Sequence, residues 1–303
     1  MKSNRQLRFT GLGARVQYLI LMALFRASPT RGFYGRAARG LGRIFHAENA
    51  ALIREGNDPW FRVSLNDGYW TRFGLYYREY EPEIDQILIA ASGATPAFLD
   101  LGANKGYWTL RASTRFNRVI AVEASRQTFA ALKQNCASLG NVNIRQAAVH
   151  NQSGQVLKFV NTYLSHASAR LLANETAGQN DVTETVTTVA IDDLITPGET
   201  ALIKLDVEGA EIAAIDGGHR ALLDGSVLIY EDHGSDTACL PSAHLLGVPE
   251  MCLYYCGTAI ERMTSIEQIQ AIKTDAFKGY NFVAAKRNSK LMQGILKSLQ
   301  SGA

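Results

Sequence analysis

The first 47 residues contain no aspartate or glutamate, whereas Lys2, Arg5, Arg8, Arg15, Arg26, Arg31, Arg36, Arg39 and Arg43 all fall there. The net charge of +3 over 303 residues is too small to argue for a nucleic-acid partner. Any electrostatic partner is therefore expected at this basic segment. A long apolar run is also missing. The longest, VQYLILMALF at 16–25, is about half of the roughly 20 residues a membrane-spanning helix requires. Arg26 follows it at once, with no small-x-small cleavage site, so a secretory leader is not expected. Two readings of the segment stay open: an Arg-rich amphipathic helix lying on anionic lipid at the inner membrane surface, or a helix packed on the main domain.

The four cysteines, Cys136, Cys239, Cys252 and Cys256, form no CxxC pair. That scatter suits reduced, buried thiols of a cytoplasmic protein and argues against a zinc site or a disulfide frame.

What is present is a core. Hydrophobic residues make up 47% of the chain, enough for one large domain with accessories. FRVSLNDG at 61–68 reads as a strand entering a hairpin turn, and EYEPEIDQILIAA from Glu79 as a helix ending at Gly93. After Pro96, short apolar runs at 97–102, 118–123, 143–149, 201–207, 226–231, 251–256 and 280–286 read as strands. Helical stretches at 105–114, 125–139 and 208–224 separate several of them. Alternation of this kind predicts an α/β fold with a doubly wound, mainly parallel, Rossmann-like sheet. Residues 155–190 break the pattern with two β-rich pieces around a Ser/Ala/Asn-rich connection, a strand insertion. The expected organisation is a basic segment at 1–45, a hairpin-and-helix cap at 46–95, the main domain at 96–286 and a polar tail at 287–303.

The stretch FLDLGANKGYW at 98–108 lies where such a sheet binds ligands, at a strand's carboxyl end. It lacks the GxGxxG of a dinucleotide site and offers Asp100, Gly102 and Gly106 as DxGxxxG, with Asn104 inside the turn. Gly102 permits a sharp turn and Gly106 keeps the next helix start clear, so that backbone amides face a ligand. An acid before the turn suits a ligand bearing an ammonium or sulfonium and a carboxylate, as S-adenosylmethionine does. Glu123 ends the second strand, 23 residues later, where a carboxylate can accept both hydroxyls of a ribose.

With FLDLGANKGYW, VIAVEASRQTFAALKQN, RQAAVHNQSG, VTTVAIDDLI and above all IKLDVEGAEIAAIDG at 203–217, residues from about 60 to 235 resemble the FkbM family of S-adenosylmethionine-dependent methyltransferases. The resemblance implies a class I methyltransferase sheet with an antiparallel last strand. It also implies a cofactor site from Asp100, Gly102, Gly106, Glu123 and Asp206, with Asn104 either contacting the methionine portion or only capping the helix, and Ala148 beside adenine. The acceptor it implies is a hydroxyl of a sugar, a glycan or a secondary metabolite. For a catalytic base, if one is needed, the candidates are Asp206 and Glu208 after the fourth strand, with Glu211 on the same face, and Glu231 and His233 after the fifth; His166 is a weaker one. Asp206, Glu208 and Glu231 could ligate Mg²⁺, but no metal is expected. The rival readings are a nicotinamide-dependent oxidoreductase and a cofactor-binding protein without turnover.

Overall fold

The computed structural model describes residues 5–27, 31–46, 48–72, 80–161, 170–171, 182–207 and 209–301. The chain divides into two compact units, Met1–Glu81 and Pro82–Ala303.

The first unit runs β1 (Arg5–Phe9), α1 (Leu12–Ala27), α2 (Arg31–Leu41), β2 (Ala50–Glu55), β3 (Phe61–Ser64) and α3 (Gly68–Trp70). Its strands form one antiparallel sheet in the order β1-β2-β3. The alternation in FRVS buries Phe61 and Val63 as expected. The turn expected at 66–68 is instead a helix start: Asp67 accepts from the Tyr69 and Trp70 amides at 2.9 and 3.0 Å and caps α3. The hairpin is made upstream, between β2 and β3, and Trp70 packs edge-on against Phe61 with ring centres 4.9 Å apart.

The second unit begins with α4 (Pro82–Ser92), β4 (Ala97–Leu101), α5 (Tyr107–Ser113), β5 (Arg118–Glu123), α6 (Arg126–Cys136) and β6 (Val142–Gln146). An inserted β-rich stretch follows, with β7 (Ala148–Val149), β8 (Val156–Asn161), β9 (Arg170–Leu171) and β10 (Val182–Val189). The chain then returns through β11 (Leu202–Leu205), α7 (Glu211–Asp216), α8 (His219–Leu223), β12 (Val227–His233) and α9 (Leu240–Leu246). It closes with β13 (Met251–Cys256), β14 (Ile260–Met263), α10 (Ile266–Ile272), β15 (Gly279–Lys286) and α11 (Lys290–Ser301).

The main sheet has eight strands in the order β14-β13-β15-β12-β11-β4-β5-β6. The five from β12 to β6 are parallel, and β15 lies antiparallel between β12 and β13. Strands with both faces covered need apolar residues at every position; AFLDL and LIKL are accordingly buried throughout, acid and lysine included. Sequence order reverses at β4, whose neighbours are β5 on one side and β11 on the other. A ligand crevice is expected at that reversal, above the carboxyl ends.

Three differences from the sequence reading have local causes. The strand expected at 143–149 divides into β6 and β7, and β7 leaves the main sheet to join the insertion as a four-stranded sheet, β7-β10-β8-β9. The single helix expected at 208–224 is α7 and α8, broken at Gly217, where a Cβ would lie 2.3 Å from the His150 carbonyl oxygen. Residues expected as a polar tail form α11, which buries Leu291, Met292 and Ile295.

Candidate cofactor and active site

The site is built on the ends of β4, β5, β11 and β12. Asp100 is buried within β4, and its Oδ2 accepts from Thr109 Oγ1 of α5 at 2.5 Å. Its Oδ1 is buried with no hydrogen-bond partner among the described residues. Strand register sets Lys204 of β11 beside Asp100. Burial pushes the Asp100 carboxyl above its ordinary range, against the pull of Lys204 and the Thr109 hydrogen bond. Lys204 is itself buried and donates to Asp206 Oδ2 at 2.9 Å, leaving the Asp206 side chain partly open to solvent.

The turn after β4 is fastened to β5 by its own amides. Gly102 and Ala103 both donate to the Val122 carbonyl at 2.9 Å. Asn104 donates to Glu123 Oε2 at 2.9 Å, and Lys105 donates to Asn104 Oδ1 at 2.9 Å. The turn thus spends the amides of residues 102–105 on itself and on β5, and the amides expected to face a ligand are those at the start of α5. Its glycines serve packing as well. Gly102 has φ +78°, and a Cβ there would sit 1.8 Å from the Asp206 carbonyl oxygen; Gly106 has φ +89°, and its Cβ would sit 2.7 Å from Leu132 Cδ1 of α6. Asn104 also takes a left-handed conformation, φ +52°.

Glu123 is buried at the end of β5. Its two oxygens accept from the Asn104 and Ser125 amides, both at 2.9 Å. Those bonds use two of the roughly four acceptor positions of a carboxylate. Burial pushes its carboxyl up to about 7, with the amide bonds opposing and Asp206 and Asp100 adding. Glu211, at the start of α7, is pushed up by burial too, with Asp206 and Asp232 contributing. Its Oε1 accepts from the Gly209 amide at 3.0 Å. Asp100, Glu123, Asp206 and Glu211 therefore form one acidic group around the reversal, with Lys204 as the cation paired into it.

On β12, Glu231 lies over β15, its carboxyl filling the space beside Gly279 that a Cβ would occupy at 2.2 Å. His233 is exposed at the strand end, and its Nδ1 accepts from the Ser235 amide at 3.2 Å and contacts Ser235 Oγ at 2.6 Å. An accepting Nδ1 leaves the proton of the neutral ring on Nε2. Between them Asp232 is fully buried, bonded to Lys273 and to Ser242, which in turn contacts the Tyr230 hydroxyl at 2.9 Å. Ala148 joins the group only indirectly: in β7 it packs on Val186 and on Ala124, the neighbour of Glu123. Glu208 and His166 lie outside the described residues.

Sequence reasoning had not drawn in Lys204 and Thr109. Lys204 was signalled by a charge inside the otherwise apolar ALIKL; Thr109 had no signal, because its role depends on how α5 folds back over β4.

Five parallel strands with an antiparallel β15 inserted between β12 and β13 define a Rossmann-like class I methyltransferase sheet. Residues 100–240, from Asp100 to Leu240, match the methyltransferase FkbM domain. Among solved structures, the FkbM methyltransferase of Methylobacillus flagellatus is 16% identical with TM-score 0.39, over 62% of this chain and 43% of that one. The chain thus spans less than half the length of that protein. An O-methyltransferase of Bacillus cereus in complex with SAH is 14% identical over 71% and 85% of the two chains, TM-score 0.39. A precorrin-6y C5,15-methyltransferase of Geobacter metallireducens is 13% identical over 70% and 91%, TM-score 0.40. No curated protein matches the chain.

Proposed function

We propose that the chain is an S-adenosylmethionine-dependent O-methyltransferase whose acceptor is a hydroxyl of a sugar, a glycan or a secondary metabolite. The observation that carries this reading is the unpartnered, buried Oδ1 of Asp100 at the sheet reversal, in an acidic group. A buried acceptor without a donor costs about 1–3 kcal/mol, and a bound ammonium would supply both the donor and the opposite charge. When bound, S-adenosylmethionine supplies a methyl group on a positively charged sulfur. The surrounding carboxylates favour that charge, and Glu123 keeps acceptor positions for a ribose diol.

For the acceptor, the partly exposed Asp206 has one oxygen held by Lys204, which orients the carboxylate and leaves the other to receive a hydroxyl's hydrogen bond. Glu231 is the second candidate for that role. His233, presenting Nε2–H, fits a positioning donor better than a base. A base positioned this way contributes about 10²–10⁴-fold, so Asp206→Asn should lower turnover at saturating cofactor by at least about 10²-fold, beyond any weakening of cofactor affinity. The test is transfer of labelled methyl to a panel of sugar hydroxyls, amines and RNA. Label appearing only on amines or RNA would contradict the hydroxyl reading.

A further inference from the structure

Helix α1 departs from the usual arrangement of a surface helix on both faces. Its inward face carries a polar residue: Gln17 is fully buried, donates to Asn66 Oδ1 at 3.0 Å and accepts from Asn49 Nδ2 at 2.9 Å, between buried Ala14 and Leu21. Its outward face is apolar. Leu12 is 78% exposed, Val16 42%, Leu19 50% and Ile20 36%. Spacings of four, seven and eight residues align these four side chains in one stripe. A helix that meets water is expected to do the opposite.

Charge says what the stripe meets. Arg8, Arg15, Arg26, Arg36, Arg39 and Arg43 are exposed, and the first acid of the chain is Glu48. Of these, Arg15 and Arg26 lie on α1 itself and flank the stripe, so a second copy of this face would bring their charges together, whereas an anionic lipid surface complements them and accepts the apolar stripe at the acyl boundary. With 16 residues, α1 is about 24 Å long, short of the roughly 30 Å hydrocarbon core, and no described helix is long and apolar enough to cross a membrane. We propose that the outward face of α1 is a docking surface for anionic lipid, with the helix lying in the plane of the headgroups and Arg15 and Arg26 on phosphate.

The test uses the full chain with sedimenting vesicles of phosphatidylcholine, alone or with about one third phosphatidylglycerol as the anionic lipid. Wild type should sediment with the anionic vesicles and not with the neutral ones, and less so as salt rises. Leu19→Gln/Ile20→Gln and, separately, Arg15→Gln/Arg26→Gln should each weaken this by about tenfold, with circular dichroism and S-adenosylmethionine affinity unchanged. Leu19→Trp should shift its fluorescence to the blue when anionic vesicles are added. The proposal is overturned if wild type ignores anionic vesicles, or if Leu19→Gln/Ile20→Gln binds them as well as wild type. It is equally overturned if wild type is a dimer that this variant makes monomeric, which would assign the stripe to a second copy.

Discussion

Glu123 shows how one side chain links pH, stability and binding. Its carboxyl rises from 4.5 to about 7 because it is buried. Its favourable contribution is therefore complete below pH 4.5 and is lost as pH rises through about 7, since the unfolded chain gives up the proton earlier. At about 1.4 kcal/mol per pH unit, the loss is of the order of 3 kcal/mol. Urea midpoints measured from pH 5 to 8 should fall for wild type and run flatter for Glu123→Gln. If both ribose hydroxyls donate to this carboxylate, binding near pH 7 must also release protons. Calorimetry in buffers of different ionisation enthalpy should detect that release in wild type and miss it in Glu123→Gln, with affinity weakened by about 1–3 kcal/mol. Equal affinity and equal proton release in a folded variant would remove Glu123 from the site.

At the scale of elements, the loop joining β4 to α5 depends on two close approaches. Gly102→Ala would place a Cβ 1.8 Å from backbone, at φ +78°. The left-handed conformation alone costs about 1–2 kcal/mol, so its melting temperature should drop beyond what strain explains. Gly106→Ala meets only the end of a leucine side chain, Leu132 Cδ1. The second substitution Leu132→Ala should therefore recover part of its loss, a non-additivity expected of touching residues, whereas independent losses would refute the contact. On β12, Lys273→Met would leave Asp232 buried without its cation. A loss of about 3–5 kcal/mol in urea unfolding is expected.

These elements also show what was legible beforehand. The parallel strands were readable because a doubly covered strand is mostly apolar along its length, as AFLDL and RVIAVE are apart from Asp100, Arg118 and Glu123. The break between α7 and α8 was signalled only by the Gly217–Gly218 pair; the close approach of the His150 carbonyl that excludes a side chain at 217 is a distant contact that local periodicity does not carry. Asp100 and Glu123 were visible as acids ending apolar runs. Their partners were set by register and by the fold of the turn, as with Lys204 beside Asp100. The bonds of the turn's own amides were hidden for a related reason: glycine spacing signals a tight turn, but not that the amides of residues 102–105 point at the neighbouring strand and at the turn itself.

At the scale of the whole molecule, the second unit holds a methyltransferase sheet with acids gathered at its reversal, and the first presents an apolar, basic surface. The central claim is that the acidic group around Asp100 receives S-adenosylmethionine. The direct measurement is calorimetric titration of the full chain with S-adenosylmethionine, with NADH as the parallel ligand and Asp100→Asn as the control variant. Saturable binding of S-adenosylmethionine, none of NADH, and affinity reduced at least about tenfold in folded Asp100→Asn is the predicted result. Binding of NADH, or no binding of S-adenosylmethionine, would contradict it.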